Sequence, residues 1–227
     1  MHNLRAIFPF RLARGAEKEL TIAGVSLGLA LLAFVAWPGL YTLLLVGLLI
    51  LLCVLLLYFF RDPERIPPAG DGLFLAPADG RVVEIRREHE PRFLECEGLK
   101  ISIFMSLLDV HVNRTPVAGQ VTLVEHVSGR FLQAFRPQAS EVNEHNLIGL
   151  KSDYGRILVK QIAGILARRV VCWVQVGQEL RTGGRLGVIK FGSRVDLYLP
   201  LGAEAVVRVG DRTRAGMTVI AQWREGK

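Results

Sequence analysis

The sequence predicts a mainly β fold: an N-terminal helical hairpin for a membrane, then a β-sandwich-like domain. Three observations lead there. Residues 20–37 and 40–60 are two nearly uncharged apolar stretches parted by Pro38-Gly39, and each matches the roughly 20 residues a helix needs to cross a bilayer. Beyond them, apolar residues recur in short β-type runs broken by turn signals at intervals of about ten residues. Between the two regions lies "RDPERIPPAGDG", a Pro/Gly-rich linker. It separates a membrane-anchoring segment, 1–65, from a globular domain, 66–227.

The basic flank before the hairpin (Arg5, Arg11, Arg14, Lys18) and Arg61 and Arg65 after it place both ends on the cytoplasmic side, since cationic loops stay there. Trp37, Tyr41 and Tyr58 suit the membrane interfaces. Gly24, Ser26 and Gly28 weaken the first stretch, so a single span or a hairpin dipping into one leaflet stays open. A cleaved signal peptide fits poorly, because the apolar region is too long and starts too far from Met1. The chain is 51% apolar with a formal net charge of +7, which suits an anionic lipid surface or a phosphate-bearing substrate better, beside such a hairpin, than nucleic acid. Cys53, Cys96 and Cys172 are odd in number and widely spaced; neither a disulfide framework nor a metal site is indicated.

Strand-like runs in the second region cover 81–85, 100–105, 110–112, 120–127, 156–161, 170–176, 186–191, 194–199, 205–209 and 218–223. A short helical turn is expected at 164–168. The segments "VGQELRTGGRLGVIKFG" and "VRVGDRTRAGMTVIAQW" echo each other, each reading Val-Gly, polar residues, Gly and an apolar strand. The echo suggests a folded-over sandwich resembling biotinyl/lipoyl half-barrels; two unrelated hairpins with similar turns would read the same.

Some residues invite chemistry. In "SLLDVHVNRTP" a strand puts Asp109, His111 and Asn113 on one face and Val110 and Val112 on the other, either a site or a solvated edge. Asp79 in "PADG" sits in a turn, where Asp-Gly is common in any case. "NEHN" at 143–146 reads as a polar loop, and His2, His89 and His126 show no partner spacing. Ser193 in "KFGSRVDLYLP" lies at a strand entrance, outside the G-x-S-x-G elbow, the Walker loop and the dinucleotide fingerprint. Lys190, three residues earlier, admits a serine-lysine hydrolase or a lysine carrying a prosthetic group. Alone, the Gly-Ser pair reads as a turn.

Taken together, "FFRDPER", "PADG", "ISIFMSLLDVHVNRTPVAG", "NEHN", "QIAGILARRV" and "RLGVIKFGSRVDLYLP", in this order over residues 59–200, closely resemble the phosphatidylserine decarboxylase proenzymes, in the short form of bacteria and archaea. The resemblance implies self-cleavage at Gly192-Ser193 into a β chain, 1–192, and an α chain, 193–227, which stay associated. It implies a pyruvoyl cofactor derived from Ser193, with neither metal nor pyridoxal phosphate, and a Schiff base to the serine head group of a membrane phospholipid during decarboxylation. An Asp-His-Ser relay carries over to Asp79, His111 and Ser193. Long-form members have a second histidine where this chain has Arg114, which leaves open whether His111 is the base for self-cleavage or the proton donor after decarboxylation. Arg114, Arg168 and Arg169 are the candidate phosphate contacts, by the forked geometry of guanidinium, though the same arginines would also suit solvent or anionic lipid. The expected setting is the cytoplasmic membrane, with the catalytic domain facing the cytoplasm and no nucleic acid among the partners. Whether the substrate is phosphatidylserine or archaetidylserine stays open, as does assembly into a homo-oligomer.

Overall fold

The computed structural model describes residues 11–134, 138–165, 170–190 and 193–224. Gly192, Arg168 and Arg169 therefore lie outside the described residues, as does most of the helical turn expected at 164–168, of which Gly164 and Ile165 are not helical. The chain divides into two compact units, Met1–Pro63 and Glu64–Lys227.

The first unit holds β1 (Arg11–Leu12), α1 (Glu17–Ala36), α2 (Leu40–Phe59) and β2 (Arg61–Asp62). Each helix has 20 residues, about 30 Å of axial rise, enough to cross a bilayer's hydrocarbon core. Leu29, Leu32, Val35, Leu44 and Leu48 are exposed within the chain, and a helix apolar on all sides needs lipid or protein around it. Pro38 and Gly39 break the run, and the Thr42 hydroxyl closes the turn by donating to the carbonyls of Trp37 and Gly39, both at 3.0 Å. β1 pairs antiparallel with β2 through Arg11 opposite Asp62, so entry and exit of the hairpin lie side by side.

The second unit is built from β3 (Leu73–Leu75), β4 (Gly80–Glu90), β5 (Cys96–Met105), β6 (Val112–Arg114), β7 (Gly119–Val127), α3 (Ala139–Val142), β8 (His145–Ser152), β9 (Gly155–Ala163), β10 (Val170–Cys172), β11 (Glu179–Leu180), β12 (Arg185–Ile189), β13 (Ser193–Pro200), β14 (Ala203–Ala205), β15 (Arg212–Thr213) and β16 (Val219–Trp223). Eight strands form one sheet that curls into a half barrel, ordered β11-β7-β8-β9-β13-β5-β4-β15. Two three-stranded sheets, β10-β12-β6 and β14-β16-β3, complete it. The core holds one face of the large sheet, with Ile101, Ile103, Ile148, Leu150, Ile157, Val159, Val195 and Leu197 all buried. Period-two alternation explains why odd-numbered residues of β13 join this core while Arg194, Asp196 and Tyr198 turn to the other face.

Several expectations are corrected. The run at 110–112 enters its strand only at Val112, and residues 110–117 are buried throughout, so no solvated edge exists there: β6 is covered on both faces. The strand from 170 stops at Cys172, and the one expected at 205–209 is instead Ala203–Ala205. "NEHN" is only half loop, because His145 and Asn146 open β8.

Candidate active site

Ser193 is the first residue of β13 and pairs with Met105 of β5 on one side and Ala163 of β9 on the other. Interior strands on both sides leave it fully buried, at 0% exposure. Its Oγ donates to the Met105 thioether sulfur at 3.3 Å. The same sulfur accepts from Asn113 Nδ2 at 3.7 Å. Gln161 Nε2 donates to Asn113 Oδ1 at 2.8 Å, and Asn146 Nδ2 lies 3.4 Å from Gln161 Oε1. The structure thus brings Ser193 together with Asn113, which the sequence placed beside His111, and with part of "NEHN".

His111 is buried just before β6, and Ile189 of β12 donates its backbone N–H to the His111 carbonyl at 3.3 Å. The turn at 106–109 sets its ring. Asp109 Oδ2 accepts from the Ser106 backbone at 2.8 Å and from its hydroxyl at 2.7 Å, and the Asp109 carbonyl lies 2.9 Å from His111 Nδ1. A carbonyl only accepts, so Nδ1 carries the proton and the lone pair of the neutral ring sits on Nε2. The side chain of Asp109 is spent on the turn rather than beside His111.

Asp79 is held differently. Its carboxylate takes both arms of Arg65, at 2.5 and 2.8 Å, and the Ala215 N–H at 2.7 Å. Arg65 lies in "FFRDPER", and nothing local in the sequence marks it as the partner of an aspartate 14 residues later. Gly80 lets this corner close on β5: its φ is +148° and a Cβ there would lie 2.1 Å from the Phe104 carbonyl oxygen, which only glycine tolerates. Nδ1 of His111 is thus oriented by a backbone carbonyl, while Asp79 is oriented by a guanidinium.

Arg114 is 4% exposed and donates to the Gly183 carbonyl at 3.1 Å. Lys190 is also buried, at 5% exposure. Asn143 pins the segment before α3 to the Ser193 end of β9, accepting from Leu132 N at 2.9 Å and donating to the carbonyls of Leu132 and Ala163 at 2.8 and 2.7 Å.

Directly after Ser193, the opposite face of β13 carries a charge network that sequence reading did not mark. Arg194 donates through Nε to Asp196 at 2.6 Å, and through Nη2 to Glu84 at 2.5 Å and Ser102 at 2.7 Å. Ser140 donates to Asp196, and Lys100 lies 3.7 Å from it. Burial alone would push the Asp196 carboxyl up, but Arg194 and Lys100, with the two hydrogen bonds, outweigh it and hold the group below the usual carboxylate range. The nearby Lys160 is lowered, chiefly by burial.

The model of the phosphatidylserine decarboxylase family matches residues 52–221. A phosphatidylserine decarboxylase proenzyme of Symbiobacterium thermophilum is 49% identical over 209 residues, 91% of this chain and 94% of its own length. The proenzyme of the same name from Desulfotalea psychrophila is 46% identical over 73% of this chain and 78% of its own. A Methanothermobacter thermautotrophicus protein, provisionally named archaetidylserine decarboxylase proenzyme, is 46% identical over 76% of this chain and 82% of its own. Motifs in order, the half-barrel sheet and these likenesses over most of the chain converge: it belongs to the phosphatidylserine decarboxylase family.

Proposed function

We propose that this chain decarboxylates phosphatidylserine to phosphatidylethanolamine at the cytoplasmic membrane, through a pyruvoyl group made from its own Ser193. The observation that carries the reading is the position of Ser193: the first residue of a central strand, fully buried, its hydroxyl against a thioether. Serine is the residue type the chemistry needs, because its Oγ can attack the carbonyl carbon of the preceding residue and later leave from Cβ. The Gly192-Ser193 amide becomes an ester as the peptide nitrogen departs and takes up the hydroxyl proton. Removal of the residue-193 α-proton then breaks the Cβ–Oγ bond, releasing Gly192 as a carboxylate. The dehydroalanine left behind takes up water and loses ammonia to give the pyruvoyl group. The result is a β chain, 1–192, and an α chain, 193–227.

The residues around Ser193 fit such a group: Asn113 and Gln161 are polar and, like Ser193, fully buried. When present, its ketone supplies the electron sink for the pair released as carbon dioxide leaves. His111, with its lone pair on Nε2, is the proposed base for Ser193 and the acid that returns a proton to the substrate carbon. Asp79, its carboxylate held by Arg65, is the proposed acidic member of the relay and acts through its charge, because the Nδ1–H of His111 is already given to the Asp109 carbonyl. Arg168 and Arg169, between β9 and β10 in the chain, and Arg114 are the proposed phosphate contacts. The arginines flanking the apolar hairpin support a domain that faces the cytoplasm. A prosthetic group on Lys190 fits poorly, since a carrier lysine must reach solvent and this one is buried.

The test is the intact mass of the purified chain under denaturing conditions. Two fragments meeting at Gly192-Ser193, the smaller without a free amine and reactive toward a carbonyl reagent, are expected, and Ser193→Ala should remain one inactive chain. A cleaved, active Ser193→Ala protein overturns the mechanism. The archaeal relative keeps a second substrate in view, so the wild type is assayed with ester-linked and ether-linked serine lipids side by side.

A further inference from the structure

The amides next to Ser193 all donate in one direction. His126 Nδ1 lies 2.8 Å from Asn146 Oδ1, and an amide oxygen only accepts, so His126 donates. Asn146 Nδ2 then faces Gln161 Oε1, and Gln161 Nε2 donates to Asn113 Oδ1. Asn113 has one orientation left to it: its NH2 points toward the Met105 sulfur, the atom that also takes the Ser193 hydroxyl. Reversing Asn146 or Gln161 would set oxygen against oxygen along the row, and reversing Asn113 would set its NH2 against that of Gln161. The fold makes room for it, since a Cβ on Gly187 would stand 3.2 Å from Gln161 Nε2 and 2.2 Å from the Val171 carbonyl oxygen.

The row ends on a poor acceptor. Asn113 is fully buried, as is Ser193, and both offer their hydrogens to one thioether, at 3.7 and 3.3 Å. Thioether sulfur accepts weakly, so a buried NH2 held there gains when a charged oxygen forms beside it. Oxygen charge develops nearby on Oγ of residue 193, which leaves Cβ as part of the Gly192 carboxylate.

We propose that Asn113 Nδ2 is the donor that stabilises Oγ as it leaves, and that Gln161, Asn146 and His126 are positioning residues that fix its direction. The inference rests on the self-cleavage reading above. Electrons and atoms balance without a co-reactant: a base takes the α-proton, the C–H pair becomes the Cα=Cβ bond, and the Cβ–Oγ pair goes to the carboxylate that Asn113 hydrogen-bonds. A preorganised donor of this kind is worth about 10²-fold in rate.

The full-length precursor is synthesised in a cell-free reaction with phospholipid nanodiscs and its mass followed in time, aliquots being quenched in denaturant with and without hydroxylamine. The wild type should convert to two chains with little ester in transit. Asn113→Ala should cut about 10²-fold more slowly and accumulate a full-length species that hydroxylamine splits at 192/193, leaving Ser193 with a free amine. His126→Ala, at the half-exposed end of the row, should keep its cooperative melt and show a smaller slowing with the same ester. Asn113→Ala cutting at the wild-type rate, or stopping without ester while it still melts cooperatively, overturns the assignment. If Asn113→Ala fails to fold, a wild-type rate in His126→Ala overturns it. A wild type that never cuts overturns the self-cleavage reading and this inference together, and so separates the two failures.

Discussion

His145 shows how one side chain reports on its surroundings. It opens β8 on the face away from the core, with Nδ1 held 2.6 Å from the Asn143 carbonyl. Burial pushes its pKa down, and Lys160 and Arg92 add to that, against the Asn143 carbonyl and Glu125, which favour the proton. The folded value lies below the unfolded one, about 6.5. Between the two, the unfolded chain binds a proton that the folded chain refuses, so stability falls as pH is lowered through about 6.5 and levels off below the folded value. Denaturant midpoints of the full chain in detergent should drop over this range, and His145→Asn, which keeps a donor for the carbonyl, should flatten the slope. An unchanged slope in His145→Asn would move the effect to another group.

At the scale of elements, β13 carries two kinds of information on its two faces. Val195, Leu197 and Leu199 are legible in the sequence as an alternating core strand, and so were most strands of the large sheet. The other face was not legible. Arg194, Glu84 and Ser102 meet only because β4, β5 and β13 lie adjacent in a fixed register, and no local pattern encodes that. The site divides in the same way. Ser193, His111 and Asp79 stand out through motifs, whereas Arg65 and the Gln161 partner of Asn113 are side chains that only the fold brings together. His126 looked isolated for the same reason: its partner, Asn146, sits across a strand pair. The charge network is a stability element with a stated size. Arg194 is almost wholly buried, and removing one member of a buried ionic pair leaves the other uncompensated, at a cost of about 3–5 kcal/mol. Arg194→Met should lower unfolding stability by roughly that much and slow the proposed self-cleavage, since Arg194 directly follows Ser193 in β13. A double variant that also carries Asp196→Asn should recover part of the loss, because the stranded carboxylate is gone.

For the second unit as a whole, the proposed cut falls at an instructive place. The fragment beginning at Ser193 supplies β13, β14, β15 and β16, which belong to two different sheets. β13 is hydrogen-bonded on both sides, from Ser193 opposite Met105 to Pro200 opposite Gly98, and along β9 as far as Tyr198 opposite Leu158. β16 pairs with β3 and β15 with β4, both from the part of the chain before the cut. Breaking one peptide bond at the entrance of β13 leaves the pairings from Arg194 onward in place, and it frees the first residue of a buried strand to change chemically while the strand stays seated. Val195, Leu197 and Leu199 would have to leave the core together for the fragment to escape, exposing apolar surface at about 25 cal/mol per Å². The processed protein should therefore elute as one species in native size exclusion in detergent, resolve into two chains only in denaturant, and unfold in a single cooperative transition. Separation of the small chain under native conditions would show that the backbone link across 192/193 holds the sheet together, and that the interlocked strands do not.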